Sequence, residues 1–149
     1  MYIKQLKPRK QGRYKQGYIN PLSCKKLFPG LKHDKIIYRS SYEKTFIQWL
    51  EQSNKIKFWG SECIKIPYIS TIDKKTHNYY PDYFVETTDG ECYVIEVKPY
   101  NQTKKPVNEN GWAAKEYVRN SCKWRAALEY CDYKGFKFKI ITERTINLL

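Results

Sequence analysis

The stretch YPDYFVETTDGECYVIEVK, residues 80–98, decides how this chain is read. Two runs, Tyr80 to Glu86 and Glu91 to Lys98, are rich in aromatic and β-branched residues and flank the turn Thr88-Asp89-Gly90. That pattern predicts two antiparallel strands joined by a tight hairpin. Asp82 stands seven residues before Asp89 and Glu96 seven after it, so the two carboxylates fall roughly opposite each other across the pair. The pleat sends Glu96 and Lys98 to one face and Val97 to the other. Two carboxylates and an ammonium therefore meet at one end of a small sheet. The carboxylates repel each other unless a cation sits between them.

Metal-assisted phosphodiester hydrolysis asks for such a trio. Hard oxygen ligands hold Mg²⁺, which keeps several waters and also takes a phosphate oxygen; Mn²⁺ is expected to substitute. The cation polarises the scissile phosphate and lowers the pKa of a water, while a lysine beside it stabilises charge developing on phosphorus. Pro81-Asp82 followed by Glu96-x-Lys98 is a short pattern that an ordinary strand pair with a surface salt bridge also satisfies. The flanking elements have to carry the rest.

Upstream, Ser40-Ser41-Tyr42-Glu43 opens a helix, with Ser40 as cap and Glu43 completing a capping box. Phe46, Ile47 and Leu50 recur at helical spacing and Glu43 shares their face, so it is either a cap alone or a further carboxylate for the cluster. The helix is expected to end near Ser53-Asn54. A strand is expected from Glu62 to Pro67, around Ile64 and Ile66. Downstream, residues 99–111 form a polar loop. A second helix is expected from Ala113 to Cys131, with Tyr117, Val118, Ser121, Trp124, Leu128 and Cys131 near one stripe, and Gly135 leads into a last strand from Phe136 to Thr142. The predicted order is αβββαβ, an α/β domain with a mixed sheet flanked by helices.

Charge divides the chain. Of 28 Lys and Arg against 15 Asp and Glu, residues 1–35 hold ten and one, so most of the net +13 lies there. With Pro8, Gly12, Gly17, Pro21, Pro29 and Gly30, this segment reads as a basic arm preceding a domain of residues 36–149. Tyr2, Tyr14, Tyr18, Leu27 and Phe28 offer it docking points on the domain; the alternative is a solvated tail. An excess of this size points to a polyanion, nucleic acid first. No apolar run approaches the roughly 18–20 residues of a membrane span, and the N-terminus lacks the apolar core of a secretory signal. Five cysteines without a CxxC pair, and only two histidines, argue for reduced thiols in a cytosolic compartment and against structural zinc.

With these elements in order, the chain resembles the PD-(D/E)XK nuclease superfamily. Four blocks, YRSSYEKTFIQWLE at 38–51, IPYISTIDKKTHNYYPDYFVE at 66–86, YVIEVKP at 93–99 and EYVRNSCKWRAALEYC at 116–131, are similar to head-completion nucleases of tailed phages of the T-even type. The resemblance spans about residues 36–143. It implies that Asp82 and Glu96 bind a divalent metal, that Lys98 assists catalysis and that Glu43 completes the site. It also places a polar residue near the phosphate on the second helix, with Asn120 and Lys123 as candidates. It implies action after DNA packaging, in the infected cell's cytoplasm and at the head–neck region of the virion, with portal and neck proteins as partners.

Several cations are expected around the site. Arg39, Lys74, Lys75, His77, Lys104 and Lys105 lie in predicted loops where they can meet phosphates of double-stranded or branched DNA. Trp49, Trp59 and Trp124 read as core, while Tyr79 and Tyr80 read equally as core or as base-stacking platforms. Two other functions remain open on the sequence: a junction-resolving or transposon-end nuclease, and a DNA-end-binding assembly protein with a residual site.

Overall fold

The computed structural model describes residues 16–145. Its central feature is a four-stranded sheet in the spatial order β3 (Ile56–Ser61), β6 (Tyr83–Thr87), β7 (Cys92–Val97) and β8 (Lys137–Ile141). The first two junctions are antiparallel and β7–β8 is parallel, so the sheet is mixed. A parallel neighbour needs a crossover, which α2 (Trp112–Lys134) supplies. Gly135, at φ 74°, turns the chain out of α2, a left-handed conformation that glycine adopts without a Cβ clash.

Period-2 alternation gives the sheet two apolar faces. Tyr83, Val85, Tyr93, Ile95 and Val97 cluster with Phe46, Ile47 and Leu50 of α1 (Ser41–Gln52). Phe84 and Val94 cluster with Ala127 and Cys131 of α2. Each such side chain, once buried, contributes about 1.5–3 kcal/mol, so the two helices fix the sheet from both sides. α1 begins where the sequence predicts: Glu43 N–H donates to the Ser40 hydroxyl at 3.2 Å, and Ser53 closes the other end. The α2 stripe differs from expectation. Asn120, Ala127 and Cys131 are its buried residues, whereas Val118 and Leu128 are exposed, because the sheet meets α2 on a narrower face. No helix among the described residues is long and apolar enough to cross a membrane.

The strand expected at 62–67 does not form as such: residues 62–65 connect two strands, and only Ile66 and Pro67 are in one. β3 ends at Ser61, and the chain leaves the sheet at Glu62, whose φ is 46°. It then forms a separate hairpin of β4 (Ile66–Ile69) and β5 (Thr76–Tyr79) before returning as β6. The alternation of Ile64 and Ile66 arises because both face the second cluster, with Tyr68 and Tyr79.

Residues 16–35, read above within the basic arm, lie on the domain. β1 (Gly17–Ile19) pairs antiparallel with β2 (Ile36–Tyr38), and Leu27 bridges to Trp59. Phe28 packs its ring 5.5 Å from that of Phe84 and 5.6 Å from that of Phe58. The remainder of the arm, residues 1–15, lies outside the described residues.

Candidate active site

Asp82 immediately precedes β6 and Glu96 is the last residue but one of β7. The β6–β7 register pairs Tyr83 with Ile95, so one further step sets Asp82 opposite Glu96. There the backbone ladder gives way to a side chain. Asp82 Oδ2 accepts the Val97 N–H at 2.8 Å, which fixes the carboxylate against the end of β7. Lys98 follows directly, its N–H donating to Ile141 O at 2.9 Å and its Nζ 3.5 Å from Glu96 Oε1. The other oxygen of Glu96 accepts a 2.5 Å hydrogen bond from the Tyr79 hydroxyl.

Glu43 reaches the same place from the first turn of α1. Its Oε2 accepts the Arg39 N–H at 2.9 Å, one residue further back than in a capping box, and its Oε1 lies 3.5 Å from the Tyr83 hydroxyl. A fourth carboxylate, Glu62, arrives through the turn that ends β3. Its N–H donates to Asp82 O at 2.9 Å, and its Oε2 accepts from Arg39 Nη1 at 3.1 Å. Glu43, Glu62 and Glu96 are 7%, 5% and 7% exposed, so all three are desolvated.

The electrostatics follow from crowding acids into a buried space. Burial pushes the Glu43 carboxyl up to about 7; Arg39 opposes this through its N–H and its charge, and Glu96 and Glu62 add smaller repulsions. Burial likewise holds Asp82 well above the usual carboxylate range, reinforced by Glu96 and Glu43 and opposed by the Val97 N–H and by Lys98. Burial works against the Arg39 charge, but Glu62, Glu43 and Asp82 outweigh it and raise its pKa. The protein alone therefore leaves this cluster short of positive charge.

A cleft of about 510 Å³ opens over the cluster and is lined by Glu43, Glu62, Asp82, Glu96 and Lys98. Of the residues expected to touch DNA, Arg39, Asn120 and Lys123 also line it. Asn120 is buried, and Lys123 Nζ lies 5.8 Å from the Tyr79 ring centre. Lys74, Lys75 and His77 belong instead to the β4–β5 hairpin, where His77 Nε2 pairs with Asp73 Oδ2 at 2.7 Å. Lys104 and Lys105 follow the short turn Tyr100–Thr103, outside the cleft lining. Tyr79 is buried against Glu96, whereas Tyr80 lines the cleft. Trp59 is fully buried, and Trp49 and Trp124 pack against the two cores. A larger, more apolar hollow of about 660 Å³ between the hairpin and α2 contains none of the clustered acids.

The donor set suits a hard cation. Among the described residues, no group of three or more His, Cys, Asp or Glu side chains is arranged to enclose a metal by itself. Carboxylate oxygens are hard donors, and a hard divalent cation is commonly bound through one or two of them, keeping other positions for water and phosphate. Asp82 and Glu96 are the pair placed to provide them, at the end of the sheet where Lys98 also stands.

Residues 53–143 match the family model for the TnsA-like endonuclease N-terminal domain. The chain is also 34% identical over 125 residues to the head completion nuclease of Enterobacteria phage T4, covering 77% of this chain and 83% of that protein. This chain belongs to the TnsA-like endonuclease family. Its fold is of the PD-(D/E)XK type, as the sequence resemblance implies. The family match includes Asp82, Glu96, Lys98, Asn120 and Lys123 and begins after Glu43.

Among the cleft residues that escaped the sequence reading, Glu62 and Trp112 stand out. Glu62 has no motif spacing to announce it, since a left-handed turn and a bond to Asp82 deliver it. Trp112 had a usable signal. It begins a helical stripe, Trp112, Glu116, Asn120 and Lys123, all of which line the cleft.

Proposed function

We propose that this nuclease is a divalent-metal-dependent DNA endonuclease serving a phage in head completion, after packaging and before the neck and tail are joined. The observation that carries the chemistry is the convergence of Asp82, Glu96 and Lys98, with Glu43 and Glu62 behind them, in one cleft. The head-completion role rests on the likeness to the T4 protein. The setting that fits is the infected cell and the head–neck region of the virion, with portal and neck proteins nearby.

Asp82 and Glu96 would hold the cation, Mg²⁺ with Mn²⁺ as substitute, and Glu43 would complete the acidic shell. When bound, the cation supplies Lewis acidity to the scissile phosphate and acidifies water. The protein's own groups do the remainder. Lys98 stands at the open side of Glu96, where its ammonium stabilises negative charge on the phosphoryl oxygens and helps orient the attacking water. Tyr79 and the Val97 N–H hold Glu96 and Asp82 at fixed angles, so little reorganisation is needed as charge develops. Asn120 and Lys123 approach the phosphate from α2, and Arg39 keeps Glu43 and Glu62 from repelling each other out of place. The basic arm adds sequence-independent attraction to DNA.

Cleavage of linear duplex and four-way-junction DNA by the wild type, Glu96→Ala and Lys98→Ala, with Mg²⁺, Mn²⁺ or a chelator, tests the reading. Both variants should fold and bind DNA while cutting at least about a hundredfold more slowly. Wild-type rates in both variants would refute the site. Metal-independent binding without cutting on either substrate would point to an assembly protein built on a nuclease fold.

A further inference from the structure

Trp112 is 78% exposed, although a large apolar ring is usually withdrawn from water, and it lines the same cleft as Asp82 and Glu96. It occupies the first turn of α2, and the stripe it begins runs through Glu116 and Asn120 to Lys123. Asn120 is buried at 5% exposure, so the stripe descends from an open indole to an enclosed amide. Eight helical residues separate the two, about 12 Å along the axis. At about 3.4 Å per nucleotide, that is three to four stacking steps between the indole and Asn120.

Resting on the nuclease reading above, we infer that Trp112 is a stacking platform for an unpaired base flanking the cut. The preferred substrate is therefore DNA with a single-stranded flank rather than uninterrupted duplex. Inside a duplex both faces of every base are covered by neighbours, so an indole gains contact only at an end, a gap or an unpaired nucleotide. The surroundings favour nucleic acid as the occupant. Arg39, Lys98 and Lys123 line the cleft among five carboxylates whose excess charge a bound divalent cation would offset, and the chain carries a net +13. Tyr80 lines the same cleft and offers a second aromatic surface for the strand.

The test compares full-length wild type, Trp112→Phe and Trp112→Ala on a blunt duplex and on the same duplex with a single-stranded overhang. Affinity is measured by fluorescence anisotropy in chelator, and 2-aminopurine placed in the overhang reports stacking directly. Trp112→Ala should weaken overhang binding about 5- to 100-fold and blunt-duplex binding under about twofold, with Trp112→Phe in between. Quenching of 2-aminopurine should accompany binding of the wild type and disappear in Trp112→Ala. Equal losses on both substrates, or no loss on either, would overturn the inference, as would undiminished quenching in the alanine variant. Cleavage by the wild type in Mg²⁺ separates the two claims. Cutting that is insensitive to Trp112 on either substrate removes the stacking role alone. Selective, Trp112-dependent overhang binding without any cutting upholds the stacking role and removes the nuclease reading.

Discussion

Replacing Glu43 with glutamine removes one negative charge from the buried acids while keeping a carbonyl oxygen for the Arg39 N–H. Burial raises Glu43 from 4.5 to about 7, so the folded chain retains a proton that the unfolded chain releases near pH 4.5. Below about pH 4.5 the group is neutral in both states and costs nothing; as pH climbs through about 7, the folded state must accept the charge and stability falls. Between about pH 5 and about pH 8 the loss is on the order of 2–3 kcal/mol for this group alone. Asp82, also raised by burial, adds a loss of the same sign. His33 has the opposite sign, because burial lowers its pKa and favours the folded state as pH rises. Urea denaturation of wild type and Glu43→Gln in chelator, at about pH 5 and about pH 8, isolates the difference. The variant should gain roughly 2–3 kcal/mol or more on the wild type across that interval, since removing Glu43 also relieves Asp82. A difference that stays constant with pH within about 0.5 kcal/mol would refute the assignment of the strain to this cluster.

Two further outcomes bear on the N-terminal segment. Six of the ten Lys and Arg in residues 1–35 precede Gln16, so deleting residues 1–15 should flatten the salt dependence of DNA binding by up to about 0.9 per lost phosphate contact, and an unchanged slope would show that these residues do not carry the attraction. Phe28→Ala should cost about 2–4 kcal/mol in urea denaturation, because its ring fills space against Phe58 and Phe84; a loss below about 0.5 kcal/mol would mean that the segment merely rests on the surface.

The hairpin of β6 and β7 was legible because it is local. Its alternation, turn and register all follow from nineteen consecutive residues, and they set Asp82, Glu96 and Lys98 together before any tertiary contact is considered. α1 was legible for a similar reason, since Ser40 and Glu43 mark its start in the sequence. β1 and β2 were not, because strands of three residues carry too little alternation to stand out among Gly17, Pro21 and Pro29. β3 was hidden by its length and by its close neighbour: Ile56–Ser61 pairs with a strand more than twenty residues away, while Ile64 and Ile66 advertise a different structure. Glu62 was beyond reach, as its place depends on a bond to Asp82 across the entire excursion.

That bond also has an evolutionary consequence. The chain departs at Glu62 and returns at Asp82, and the 2.9 Å contact between their backbones ties the two ends together. Everything between them pairs chiefly with itself as β4 and β5 and rests on α2. Closing a longer loop across a fixed neck costs only about 0.6 kcal/mol for each doubling of its length. The tip of the hairpin, residues 70–75, can thus lengthen, shorten or be exchanged while Tyr79 at its base keeps its bond to Glu96 and the sheet beneath keeps its register. A lineage can try new shapes beside the cleft without rebuilding the clustered acids, and a protein engineer can graft there for the same reason.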